Sequence, residues 1–129
     1  MIITPLFMRN KIKMGLDTTL YKQTRKPKIE QIFDKLDETE TEMEEVLYWR
    51  KNYNLLEWFR ENLCEIDNCI FHEVSKKVFE KWLHALENDI LEYSWDEKSI
   101  ELNRDIEIIT KILKETDFKK VKFFFYNWW

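Results

Sequence analysis

Apolar positions recur along this chain with two different periods, and the two periods mark different elements. Near the start, Leu16, Thr18 and Leu20 alternate with Asp17, Thr19 and Tyr21, the period of a half-buried strand over residues 15–22. At the far end KKVKFFFYNWW alternates Val121, Phe123 and Phe125 against Lys122, Phe124 and Tyr126, which predicts a strand over 120–127. Between them the spacing turns helical. Pro27 suits the first turn of a short helix carrying Ile29, Ile32, Phe33 and Leu36. TEMEEVLYWRKNYNLLEWFRENL predicts a long helix over 41–63, firmest over 43–62, with early glutamates where the helix dipole favours them. Its apolar residues exceed one stripe, the mark of a central helix. Residues 64–74 read as a loop or short extended segment. Ser75 is an N-cap for a helix over 76–88 with Val78, Phe79, Trp82, Leu83, Leu86 and Ile90 on its stripe. Ser94 and Glu97 have capping-box spacing before a helix over 97–115 bearing Leu102, Ile106, Ile109 and Leu113.

This order of elements predicts an α+β fold, mainly helical, with three to four helices packed on a small sheet formed by the N- and C-terminal strands. A lone strand leaves its backbone unsatisfied, so the two terminal strands should pair. Residues 1–13 read as an N-terminal extension and 14–129 as a single domain. Trp58, Phe79, Trp82 and Ile109 fall on the apolar stripes and are the expected core.

Composition narrows the picture. The 129 residues suffice for one hydrophobic core, and an aromatic share of 16% argues for a folded chain. One glycine and two prolines disfavour sandwiches, barrels and glycine-rich phosphate loops. The net charge of −4 is wrong in sign for a general nucleic-acid binder. The charge is unevenly spread, with a basic head over residues 1–28 and an acidic run behind it, Asp34, Asp37, Glu38, Glu40, Glu42, Glu44 and Glu45. Two cysteines make no disulfide framework, no apolar run approaches the ~20 residues of a membrane span, and the N-terminal order of apolar before charged residues is the reverse of a secretory signal. These features imply a cytoplasmic protein with reduced thiols.

Candidate chemistry is sparse. Cys64, Cys69, His72 and His84 are the residue types of a zinc site, but their spacing does not suit a closed tetrahedral one. No metal and no cofactor is therefore expected. Cys69 with His72 lacks a third orienting residue, and a site assembled from Asp17, Arg50 and Cys69 is the most that an enzyme reading can offer. No Walker or dinucleotide motif occurs. Tyr48-Trp49-Arg50-Lys51 interleaves rings with cations, a combination that stacks on bases and holds phosphates, so Arg50 and Lys51 are the candidate nucleic-acid contacts. The acidic run suits a basic protein surface instead, since dense carboxylates steer encounters with cationic partners.

At MGLDTTLYK, VLYWRKNYNLLEWFRENL, NCIFHEVSKKVFEKWL and KFFFYNWW, the chain resembles a family of small bacteriophage and mobile-element proteins. That family opens with a GLDMYL strand, continues with a YWRK helix and closes on an aromatic strand ending in SW. The resemblance runs from Met14 to Trp129. Thr18-Thr19 after Asp17, and Asn127 in place of the usual serine, depart from it. It implies an accessory binder of a host or phage macromolecule, of which inhibitors of CRISPR nucleases are one class. The expectation is thus a non-enzymatic protein that docks through its acidic run on a Cas nuclease or another nucleic-acid-handling protein. A nucleic-acid or nucleotide-binding accessory protein is the alternative.

Overall fold

A computed structural model of the chain describes residues 15–25, 41–93 and 98–129. The elements follow the order β1 (Asp17–Arg25), β2 (Thr41–Arg50), α1 (Tyr53–Asn62), β3 (His72–Val74), α2 (Lys76–Glu87), α3 (Lys98–Glu115) and β4 (Lys122–Trp128). The architecture is α+β: an antiparallel four-stranded sheet in the order β2-β1-β4-β3, with the helices on one side. The two terminal strands pair as expected, Asp17 opposite Trp128 and Leu20 opposite Phe125. They form the centre of a wider sheet, however, and not the whole of it, because β2 and β3 add the two edges.

The main correction concerns the expected helix over 43–62. Its first half is strand β2, and only its second half is helix α1. Three local causes are visible. Leu47 and Trp49 alternate with Tyr48 and Arg50 and supply the period of a strand with one buried side. Val46 is the extra residue of a bulge, since Leu20 faces Leu47 while Tyr21 faces Glu45. A bulge shifts which residues face which side and so hides the alternation upstream of it. Lys51 then takes a left-handed backbone (φ 56°), its N–H donating to the Leu16 carbonyl. Asn52 caps α1 by accepting from the Leu55 N–H at 3.3 Å.

Helices α2 and α3 agree with the sequence to within a residue or two, and Ser75 caps α2 by accepting from the Val78 N–H. The short helix after Pro27, the Ser94–Glu97 capping box, the N-terminal extension and, of the rest of the basic head, residues 14 and 26–28 lie outside the described residues.

The core sits between the helices and the inner face of the sheet. Trp58, Phe79, Trp82 and Ile109 are all buried there. Phe59 of α1 stacks on Phe125 of β4 at 3.8 Å between ring centroids, and Phe79 of α2 meets Phe123 edge-on at 5.1 Å. Such ring pairs contribute about 0.5–1.5 kcal/mol each beyond the area they bury. One carboxylate is sealed within this core. Asp105 of α3 accepts from the Trp49 indole N–H at 2.7 Å, the Tyr93 hydroxyl at 2.5 Å and Arg104 Nε at 2.8 Å. It joins α3 to β2 and to the segment after α2.

Candidate functional site

Among the described residues, helices α1, α2 and α3 pack against the face of the sheet that carries Leu20, Leu47, Trp49, Phe123 and Phe125. The alternation within each strand places a second set of side chains on the opposite face, which none of these helices covers. Tyr21 of β1, Tyr48 of β2, and Phe124, Tyr126 and Trp128 of β4 stand there. Phe71, just before β3, folds over them. Its ring lies 4.5 Å from Tyr126, 5.6 Å from Tyr21 and 6.3 Å from Phe124. Tyr48, Phe71 and Trp128 remain 39%, 45% and 56% exposed. Six rings share this face, Tyr21, Phe71, Phe124 and Tyr126 of them in mutual contact, and exposed apolar patches mark interaction sites.

The charged groups on this face are of both signs, with Glu45 opposite Tyr21 among them. Asp17 and Arg50 are cross-strand partners, and Lys122 reaches Glu73 at 4.0 Å. The Tyr48 hydroxyl donates to Asp17. That hydrogen bond, together with burial and the negative charge of Asp17, pushes the Tyr48 pKa up to about 12. The Tyr126 hydroxyl is likewise raised, first by its hydrogen bond with Cys69.

Of the acidic run, Glu42, Glu44 and Glu45 fall on β2, an edge strand, and all three are exposed. Asp34, Asp37, Glu38 and Glu40 lie outside the described residues. Glu44 stands opposite Lys22. Arg50 ends β2 on the margin of the aromatic face, while Lys51 is taken up by the turn into α1. The four residues Tyr48 to Lys51 therefore do not line one site: Trp49 is fully buried against Trp82 and Asp105.

The cysteine and histidine candidates are dispersed. Cys64 Sγ lies 3.4 Å from His72 Nδ1. Burial, followed by the charges of Asp67 and Glu65, raises the Cys64 thiol pKa, the opposite of what a nucleophile needs. His84 sits on α2 beside Asn88. The Cys69 N–H bonds the Asn127 carbonyl, so β4 separates Cys69 from Asp17 and the grouping Asp17–Arg50–Cys69 is not assembled. Among the described residues no three His, Cys, Asp or Glu side chains gather in metal-binding geometry, and no helix is long and apolar enough to cross a membrane.

The alternation in the sequence set Phe124 and Tyr126 of β4 opposite Phe123 and Phe125, but Tyr21 and Phe71 were missed as their neighbours. The signal available was the alternation itself, which leaves aromatic residues on both faces of β4 and places Tyr21 of β1 opposite Leu20. No family model, curated protein or solved structure matches the chain.

Proposed function

We propose that this is a non-enzymatic binding protein of phage or mobile-element type, and that it acts by docking on another protein. The observation that carries the reading is the open aromatic face of the sheet, with Tyr48, Phe71 and Trp128 exposed at its surface. Aromatic anchors of this kind dominate protein interfaces. The exposed carboxylates of Glu42, Glu44 and Glu45 along the neighbouring edge favour a basic partner surface, adding rate and specificity more than affinity. A nucleic-acid-targeting nuclease of CRISPR type fits that description and is the partner that the phage resemblance implies.

A second reading is binding of single-stranded nucleic acid, since bases stack on exposed rings. Arg50 at the margin of the face supports it. The lack of a cationic excess on the face and the acidic edge beside it count against it, because phosphate contacts dominate nucleic-acid affinity.

Two binding experiments separate the readings. Labelled single-stranded DNA and RNA should show no binding at physiological salt, while a protein captured from infected host lysate should be lost with Phe71→Ser/Tyr126→Ser/Trp128→Ser. Capture should be slowed, with the fold intact, by Glu42→Lys/Glu44→Lys/Glu45→Lys. Nucleic-acid binding that disappears with Arg50→Glu would replace the first reading by the second.

A further inference from the structure

On the helical side of the molecule, away from the aromatic face, a second surface is built around Trp58 and Ile90. Two shallow grooves meet there. One, of about 430 Å³, has Trp58, Ala85 and Ile90 as its apolar lining and Lys77, Lys81 and His84 of α2 along it, with Glu80 among them. The other, of about 250 Å³, shares Trp58 and Ile90 and is flanked by Glu57 and Glu61 of α1 and by Glu92. The patch thus has an apolar centre, a cationic flank and an anionic flank. Lys77 and Lys81 are one helical turn apart, as are Glu57 and Glu61, so each flank is a short ridge.

Ile90 is 63% exposed, and its backbone is held in that position. Its N–H and that of Leu91 both donate to the Ala85 carbonyl, at 2.9 and 3.1 Å. Asp89 adopts a left-handed backbone (φ 56°) to make this turn, a conformation that non-glycine residues other than Asn and Asp rarely take. The isoleucine is therefore presented from an ordered turn, and little backbone freedom remains to be lost on contact. Among the described residues no ion pair engages Lys77, Lys81, Glu61 or Glu92. Glu57 pairs only with exposed Arg60, at 3.1 Å.

We infer that this patch is a self-association surface whose occupant is a second copy of the chain. A surface with opposite charges on its two sides is complementary to itself under a two-fold rotation. The Lys77–Lys81 ridge of one copy then faces the Glu57–Glu61 ridge of its partner, and the reverse contact forms at the same time. Ile90 of each copy enters the groove beside Trp58 of the other. Because the patch is on the helical side, the dimer leaves both aromatic sheet faces open. It is bivalent for whatever those faces bind, and avidity follows from geometry alone. A polyanion or a simple cationic peptide would match only one flank.

Charge reversal tests this with sedimentation equilibrium over a hundredfold range of protein concentration. The parent chain should show a monomer–dimer equilibrium whose dissociation constant rises at least tenfold between low and high salt. Lys77→Glu/Lys81→Glu and Glu57→Lys/Glu61→Lys should each be monomeric, with unchanged circular dichroism. An equimolar mixture of the two should form a heterodimer, because one chain then carries two anionic ridges and the other two cationic ones. Ile90→Asp should abolish the parent dimer. A parent chain that is monomeric throughout overturns the inference. So does a dimer that survives these variants, or a mixture that fails to associate.

Discussion

Removing the Asp105 carboxylate should be among the most damaging single changes in this fold. Asp105 is fully buried, as is Trp49, and Tyr93 is nearly so. In Asp105→Ala the Trp49 indole N–H and the Tyr93 hydroxyl both lose their acceptor inside the core. Each buried donor left unmet costs about 1–3 kcal/mol, hence roughly 2–6 kcal/mol for the pair. That is a large share of the ~5–15 kcal/mol by which a domain is stable. Arg104 is half-buried and can turn to water, so it adds little. Asp105→Asn keeps an acceptor oxygen and should cost less at neutral pH. Its more telling effect is on pH dependence. Burial raises the Asp105 pKa, and the hydrogen bonds from Tyr93, Arg104 and Trp49 offset this only in part. The folded state therefore keeps the proton to higher pH than the unfolded chain, whose value is near 3.9. Stabilisation from that proton is present below the unfolded value and is lost as pH rises through the folded one. Relative to Asp105→Asn, the parent should lose stability with rising pH across this window and then level off. Urea unfolding followed by tryptophan fluorescence, repeated over pH, measures both effects. An Asp105→Ala cost below about 1 kcal/mol would refute the claim that Asp105 satisfies buried donors. A parent that gains stability over Asp105→Asn as pH rises would refute the sign.

Tyr48 offers a spectroscopic check on the margin of the open face. Asp17→Asn should bring its titration down from about 12 toward the ordinary tyrosine value near 10, read as tyrosinate absorbance, and an unmoved titration would dissociate the two groups. Thr18 and Asn127 are fully buried and bonded to each other, with the threonine hydroxyl donating at 2.6 Å. Thr18→Met overfills that space and strands Oδ1 of the Asn127 side chain, costing about 1–3 kcal/mol. In an Asn127→Ser background the same change should cost at least ~1 kcal/mol less, and additivity within ~0.5 kcal/mol in a double-mutant cycle would show the positions to be independent.

The sequence showed its elements wherever one side of an element meets the core and the other meets water. Helices α2 and α3 were legible for that reason, as were the pairing of the terminal strands and the burial of Trp58, Phe79, Trp82 and Ile109. Residues 41–50 were not, because three signals favoured helix. Glutamate and leucine have good helix propensity, the bulge at Val46 breaks the two-residue period, and the chain reverses at Lys51 without a glycine to announce it. Propensity is a weak prior when a neighbouring strand needs a partner, and β1 pairs with β2 along its whole length. The aromatic face was half legible. Alternation put Phe124 and Tyr126 opposite the core, but the position of Phe71 over Tyr21 depends on the strand order β1-β4-β3. Contacts across three strands leave no periodic trace in any one of them.

Turning residues 41–50 from helix to strand also changes what the acidic residues do. On a helix, carboxylates at positions 42, 44 and 45 would spread around the cylinder. On an edge strand they line a backbone whose outer N–H and C=O groups would otherwise be open to another chain. Charges and a bulge are the usual means by which natural sheets discourage such pairing, and Glu42, Glu44, Glu45 and the bulge at Val46 supply both here. Arg104 adds a third obstacle, its guanidinium reaching the Tyr48 carbonyl at 3.5 Å. Glu45, opposite Tyr21, borders the aromatic face itself, while Glu42 and Glu44 alternate to the helical side of the same edge, so anything approaching that face across β2 meets their field. On the proposed reading a phosphate backbone is repelled there, whereas a basic protein surface is drawn in and then finds Tyr48, Phe71 and Trp128 to bury. The edge thus guards against association by strand pairing while selecting for association by side chains, which is why the protein reading outranks the nucleic-acid one.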